Sequence, residues 1–170
     1  MASGGSGDKL QAKLLGKPVL QHTLDAVRAS GLPWYLENSG QPGMGDSIAA
    51  AVAATAQAAG WLILPADLPL IQSDTLQAVA DALRQHPVVL PIYRGQRGHP
   101  VGFCPESRQA LLNLKGNRGA APVVLAYKAI ELVVDDAGCV TDIDSVSDLR
   151  AAERRLRSVC VRGTIPGPQG

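Results

Sequence analysis

Apolar runs with the length of buried strands alternate along this chain with segments whose apolar residues recur at the helical period. The clearest apolar runs are "WLILPAD" (residues 61–67) and "PVVLPIY" (residues 87–93). Helical periodicity marks four further segments, residues 17–30, 45–60, 72–86 and 146–158. This alternation predicts an α/β domain with a mostly parallel sheet and helices on both faces.

Length and charge limit the classes of protein to which the chain can belong. Its 170 residues predict a single domain over residues 1–157, followed by a flexible tail, residues 158–170, that is rich in Gly and Pro. A net charge of +1 and a hydrophobic content of 46% favour a packed core over a nucleic-acid or membrane surface, so we expect neither of those partners. The N-terminus has no apolar signal region, which predicts a cytoplasmic protein.

The strand "WLILPAD" ends on a carboxylate. In α/β sheets the ligand binds outside the carboxyl ends of the strands, so Asp67 is a site candidate by position alone. Aspartate is also common in turns, where its side chain bonds the nearby backbone, and a turn role remains an alternative.

A second candidate segment is "GMGDSIAAAV" (residues 43–52), which places Gly43, Gly45 and Ser47 at the start of a helix. Glycines allow a ligand to approach the backbone closely, and the free N–H groups of a helix start favour an anion such as phosphate. A tight turn explains the same glycines without a ligand.

Two more polar clusters lie near predicted strand ends. Asp142 and Asp144 precede the last helix, and we expect only one of them to face a shared site. His99 lies between a glycine and a proline in a polar turn, beside Arg94 and Arg97. A histidine in such a turn is a functional candidate, although a lone histidine is more often structural.

Separated carboxylates, a glycine-rich helix start and several basic residues suit one kind of chemistry. Mg²⁺ takes oxygen ligands, often one or two carboxylates together with substrate phosphates. The residues therefore favour phosphoryl or nucleotidyl transfer, and we find no zinc signature, P-loop or Ser–His–Asp order.

From about Lys9 to Leu156 the chain resembles the MobA-like nucleotidyltransferases, and within them the molybdenum cofactor cytidylyltransferases. Five short segments occur in the family's order: "DKLQAKLLGKPVLQHTLDAV", "GMGDSIAAAV", "LPADLPLI", "RGHPVGF" and "DIDSVSDL". The resemblance implies a Rossmann-like fold and transfer of CMP from CTP to the terminal phosphate of molybdopterin, with release of pyrophosphate. A molybdoenzyme is a further partner that it suggests.

The resemblance also implies roles for individual residues. Asp67 would bind Mg²⁺, Asp142 would be the second acidic contact to metal or phosphate, and Lys9 would contact the phosphates. The helix-start residues Gly43, Gly45 and Ser47 would bind the nucleotide. His99 would lie on the acceptor side.

The family opens with a buried strand and a loop of the type Leu-Ala-Ala-Gly-x-x-x-Arg-Met-Gly-x-x-Lys, and no such strand precedes Lys9 here. We therefore expect a sheet without its first strand. Two alternatives to the cytidylyltransferase remain open: a non-catalytic or truncated relative that binds nucleotide or molybdenum cofactor, and a transferase for another phosphorylated acceptor.

Overall fold

A computed structural model describes residues 9–162, and its side chains are described as far as residue 156. The strands are β1 (Lys13–Leu14), β2 (Lys17–Pro18), β3 (Trp61–Ile63), β4 (Val88–Tyr93), β5 (Gln96–Arg97), β6 (Val101–Phe103) and β7 (Ile130–Val133). The helices are α1 (Val19–Ala29), α2 (Met44–Ala54), α3 (Ser73–Leu83), α4 (Arg108–Leu112), α5 (Ala121–Ala126) and α6 (Val146–Arg162). Short 3-10 turns lie at Pro105–Ser107 and Ala137–Val140.

The main sheet has β4 at its centre. On one side β4 pairs in parallel with β7, with Val89 opposite Ile130. On its other side β4 pairs antiparallel with β6 along its first residues and with β5 along its last. Beyond β6 lies β3, also antiparallel to it, while β1 and β2 form a separate two-stranded sheet. Because β3 and β4 both oppose β6, they run in the same direction as each other and as β7.

The α/β class and the helices on both faces are as predicted, but the prediction of mostly parallel pairing is wrong. The cause is the turn after β4, where Arg94 and Gly95 both have positive φ, at 48° and 80°. A two-residue turn of that kind joins antiparallel strands, whereas a parallel pair needs a crossover of a dozen or more residues. The chain therefore doubles back through β5 and β6, and β6 separates the like-directed β3 and β4.

Helices cover both faces of this sheet. On one face the side chains of Val88 and Phe103 pack in a cluster with Val52 of α2, Leu111 of α4 and Val123 of α5. On the other face α3 lies so close to β6 that a Cβ added at Gly102 would come within 3.1 Å of Val79. Successive strand residues alternate between these two layers, as a pleated strand requires.

The apolar run that ends at Asp67 is only partly buried. Only its first three residues, Trp61–Ile63, form β3, and of these only Trp61 is buried. Within residues 9–162 no strand pairs with the outer edge of β3. The central strand β4 is buried over its first four residues instead.

The segment 136–144 after β7 is fastened at several points to the elements around it. The buried Asp136 carboxylate accepts hydrogen bonds from the Gln72 N–H (3.0 Å), the Thr75 hydroxyl (2.7 Å) and the Gly138 N–H (2.8 Å). A Cβ at Gly138 would lie 2.0 Å from the Leu70 carbonyl oxygen, so only glycine fits there. Residues 139–144 form no strand, and a 3-10 turn followed by irregular chain leads into α6.

The final helix, α6, continues to Arg162 and so includes the first residues of the segment predicted as a flexible tail. The remainder of that segment, residues 163–170, lies outside the described residues. Ala152 of α6 packs with Leu14, Val19 and Ile143 in a small separate core.

Replacing Asp136 with Asn should lower the free energy of unfolding by roughly 2–3 kcal/mol, because an amide would turn a donor toward buried N–H and O–H donors. Urea denaturation of D136N measures the change. The exposed neighbour gives the control, since D135N should leave the unfolding free energy within about 0.5 kcal/mol. Equal stability of D136N and D135N would show that the buried carboxylate does not secure segment 136–144.

Candidate metal centre

Asp67 lies four residues beyond the end of β3, in a turn whose backbone is fixed from two sides. The Thr23 hydroxyl of α1 donates to the carbonyl of Ala66 at 2.7 Å, and the Ile143 N–H donates to the carbonyl of Asp67 at 3.1 Å. The Asp67 side chain is half-buried. These bonds hold the carboxylate of Asp67 next to segment 136–144.

Asp142 and Asp144 bring two more carboxylates to Asp67. One carboxylate oxygen from each of the three residues lies within 4.8 Å of the others. Ile143 between them is 3% exposed and packs into the core, so both acids project to the opposite side. The expectation that only one acid faces the site is therefore wrong, because residues i and i+2 of an extended segment share a face. Asp144 is the site residue that sequence reasoning left out.

Lys9 adds a positive charge to the carboxylate cluster. Its ammonium lies 2.6 Å from a carboxylate oxygen of Asp144, in a pair whose side chains are 36% and 57% exposed. The ion pair joins the beginning of the described chain to the segment before α6. Water screens so exposed a pair, and its contribution to stability is small.

The charges of the cluster shift one another's pKa values. Burial raises the pKa of Asp67, and Lys9 opposes part of that rise. The hydrogen bond that Asp142 shares with Asp144 raises the pKa of Asp142, and burial adds to it. The hydrogen bond from Lys9 lowers the pKa of Asp144 and raises that of Lys9 itself. The lysine thus keeps Asp144 ionised, while Asp142 and Asp67 resist ionisation beside it.

The donor set fits a hard divalent cation. All three groups offer carboxylate oxygens, the ligand type that Mg²⁺, Mn²⁺ and Ca²⁺ prefer, and no sulfur or imidazole lies among them. With all three acids ionised and Lys9 protonated, the four groups carry a net charge of −2 (three negative, one positive). A bound dication would favour the ionised forms of Asp67 and Asp142 and so oppose the rise in their pKa values.

The predicted nucleotide residues at the start of α2 have a packing role. A Cβ at Gly43 would lie 2.5 Å from the carbonyl oxygen of Gly116, and one at Gly45 would lie 2.9 Å from that of Lys115. The Gly45 N–H donates to the Gly116 carbonyl at 2.8 Å, and the Ser47 N–H closes the first turn on the Gly43 carbonyl. Close approach of the 115–117 loop explains both glycines. No hydrogen bond of the described residues joins Gly43, Gly45 or Ser47 to the acidic cluster.

His99 lies between β5 and β6, at a cis peptide bond to Pro100. Its backbone N–H donates to the Cys139 carbonyl at 2.9 Å, so segment 136–144 contacts His99 as well as Asp67. Burial lowers the pKa of the imidazole, and its Nδ1 atom is buried without a hydrogen-bond partner among the described residues. Burial therefore favours the neutral form of the imidazole.

The sequence matches a family model, that of the MobA-like NTP transferase domain, over residues 25–130. The chain belongs to this family. Asp67, His99 and the α2 start lie inside the matched residues, whereas Lys9, Asp142 and Asp144 lie outside them. The predicted family is thereby confirmed.

Solved structures share the fold of this MobA-like chain. Rv0371c from Mycobacterium tuberculosis, in a complex with manganese, has a TM-score of 0.74 and 22% identity over 89% of this chain and 94% of its own. Molybdopterin-guanine dinucleotide biosynthesis protein A from Archaeoglobus fulgidus has a TM-score of 0.65 and 14% identity, over 88% and 91%. 2-C-methyl-D-erythritol 4-phosphate cytidylyltransferase from Thermus thermophilus has a TM-score of 0.62 and 19% identity, over 90% of this chain and 96% of its own.

The comparison with curated proteins finds no match to this sequence. In the described part of the chain, no helix combines the length and the apolar character needed to cross a membrane.

Replacing Lys9 with Gln should raise the pKa values of Asp144 and Asp67, because the neutral amide no longer favours their charged forms. A ¹³C NMR titration of the side-chain carboxyl groups measures both values. The exposed Lys13 supplies the control, and K13Q should leave both pKa values unchanged. An unchanged pKa of Asp144 in K9Q would show that the ion pair does not form in solution.

Proposed function

We propose that this MobA-like protein is a Mg²⁺-dependent nucleotidyltransferase that transfers CMP from CTP to the terminal phosphate of molybdopterin and releases pyrophosphate. The observation that carries the proposal is the cluster of Asp67, Asp142 and Asp144, with Lys9 beside it, in a chain of this family. The cluster lies beyond the carboxyl end of β3, where α/β sheets bind ligands.

The three carboxylates would hold the Mg²⁺ ion, since their oxygen donors fit it. When bound, the ion neutralises charge on the triphosphate and on the pyrophosphate that leaves. Rv0371c, which shares the fold, has been crystallised with manganese, a cation with similar ligand preferences. Its fold likeness supports a divalent-cation site without specifying which ion this chain uses.

The protein's own residues bind and orient the two substrates. The Lys9 ammonium, held by Asp144, offers its remaining N–H donors to phosphate oxygens. The Ile143–Asp67 and Thr23–Ala66 hydrogen bonds keep the Asp67 carboxylate in position. Such fixed charges need no reorganisation during transfer.

Transfer forms a bond between an oxygen of the acceptor phosphate and the α-phosphorus of CTP. The bond from that phosphorus to the oxygen bridging to the β-phosphate breaks, and its electron pair leaves with pyrophosphate. A phosphate monoester is already largely ionised near pH 7, so the nucleophile needs no protein base. We therefore assign His99, whose imidazole is neutral, to binding the acceptor rather than to proton transfer.

The choice of CTP and of molybdopterin follows the sequence resemblance. Proteins with the same fold include one for molybdopterin-guanine dinucleotide and one for a cytidylylated sugar-alcohol phosphate. The fold is thus compatible with either base and with different phosphorylated acceptors. Delivery of the product to a molybdoenzyme would be the next step for a molybdopterin product.

Replacing Asp67 with Asn should lower kcat about 100-fold or more, because the variant loses an anionic ligand of the cation that neutralises the transferring phosphate. Pyrophosphate release from CTP, Mg²⁺ and molybdopterin measures turnover, and thermal unfolding checks the fold. The control D81N, on the exposed face of α3, should retain full activity. Undiminished turnover by D67N would exclude Asp67 from the metal site, and no turnover by the wild type with any acceptor would favour a non-catalytic relative.

Replacing His99 with Ala should raise the KM for the acceptor roughly tenfold and leave the Kd for CTP unchanged, since one ligand hydrogen bond is lost. Steady-state kinetics with varied acceptor and calorimetry with CTP separate the two effects. The matched histidine control is H86A, at the end of the chain segment after α3. Weaker CTP binding by H99A would assign His99 to the nucleotide instead.

A further inference from the structure

A cavity of about 440 Å³ lies between α4 and α5, outside the acidic cluster. Its polar lining consists of Asn113, Lys115 and Arg118, and its apolar wall includes Leu114, Val123 and Ala126. We call it the basic cavity. Its volume falls within the range of small-molecule sites, roughly 300–1,000 Å³.

The two cations of the basic cavity are unpaired. The ion pairs of residues 9–156 involve Lys9, Lys17, Arg28 and Arg97, and none involves Lys115 or Arg118. Both side chains are exposed, so they remain available to an anion from solution. Two unpaired cations beside an apolar wall suit a ligand with a phosphate and a flat aromatic ring, whose face can pack on the wall.

The path of the chain places the basic cavity toward the carboxyl edge of the sheet. β6 ends opposite the start of β4, and β7 begins opposite Val89 near that same start. The α4–α5 connection therefore leaves and re-enters the sheet at its amino edge, and its turn, residues 113–118, lies at the far end. The Gly45–Gly116 hydrogen bond ties this turn to the start of α2.

The 113–118 turn is also held in shape independently of any ligand. The carboxylate of Asp46 in the first turn of α2 accepts a hydrogen bond from the Gly116 N–H at 3.1 Å. The close contacts of Gly43 and Gly45 with the turn leave it no room to shift toward α2. The two cations therefore stand on a supported turn, which reduces the cost of ordering them around a ligand.

We propose that the basic cavity binds a phosphate-bearing small molecule of nucleotide size, with Lys115 and Arg118 on the phosphate and the Leu114–Val123 wall on the ring. Its assignment as a substrate subsite rests on the proposed function, because transfer between two phosphorylated substrates needs a second phosphate site besides Lys9. The ligand would be either the nucleotide donor or the phosphorylated acceptor, and the two are distinguished by separate probes.

Calorimetric titration in EDTA isolates this site from metal-dependent binding. The probes are CMP for the donor and a pterin with a terminal phosphate for the acceptor, with cytidine as the probe without phosphate. At least one phosphorylated probe should bind, and K115Q and R118Q should each raise its Kd roughly tenfold. Cytidine should bind more weakly than CMP. The control R84Q, an exposed arginine away from the basic cavity, should leave the Kd unchanged.

A second pair of variants tests the apolar wall. A126W places an indole in the basic cavity and should weaken binding of the same probe at least as much as R118Q does. The neighbouring L125W provides the control, because Leu125 is 72% exposed and does not line the basic cavity. Wild-type affinity in K115Q, R118Q and A126W, or no binding of either phosphorylated probe by the wild type, would overturn the proposal.

The outcome is separable from that of the proposed function. D67N should leave probe binding in EDTA unchanged, because the basic cavity does not contain Asp67. Loss of Mg²⁺-dependent turnover in D67N, with wild-type probe binding in R118Q, would reject the basic cavity and leave the transferase. Weakened probe binding in R118Q, with no turnover by the wild type with any acceptor, would support the basic cavity and reject the transferase.

Discussion

The buried carboxylate of Asp136 is the interaction on which the candidate site depends most. It is 2% exposed and accepts three hydrogen bonds, which fasten the chain after β7 to the start of α3. With this segment held in position, backbone hydrogen bonds join Cys139 to His99 and Ile143 to Asp67. A short irregular segment thus brings together parts of the chain that are far apart in sequence, and it carries two carboxylates of the cluster.

Much of the secondary structure could be predicted from the sequence, because helix periodicity and the apolar run of β4 are local signals. The choice of Asp67 as a site candidate also follows from the sequence, since it comes after the carboxyl end of an apolar run and α/β sheets bind ligands there. Sheet direction was not predicted correctly, although the Arg94–Gly95 turn carries the signal for a hairpin. The low burial of β3 depends on which strands neighbour it, and that is a property of the whole fold.

Side-chain roles were harder to predict than elements. The glycines before and within α2 have the same sequence pattern whether they admit a phosphate or a neighbouring loop, and the structure shows the 115–117 loop against them. Asp144 was omitted through a wrong assignment of faces, although the buried Ile143 between the two acids marks them as neighbours. The ion pair of Lys9 with Asp144 joins residues 135 positions apart, and no local pattern reveals such a contact.

Clustered carboxylates explain both the electrostatics and the expected cofactor of this protein. Burial raises the pKa of Asp67, the hydrogen bond with Asp144 raises that of Asp142, and one lysine offsets only part of the negative charge. The most direct test of the central claim is calorimetric titration of the protein with CTP, GTP and ATP, each with and without Mg²⁺. Our account predicts that CTP binds most tightly of the three and that Mg²⁺ strengthens its binding. Equal CTP binding with and without Mg²⁺, or no binding of any nucleotide, would contradict it.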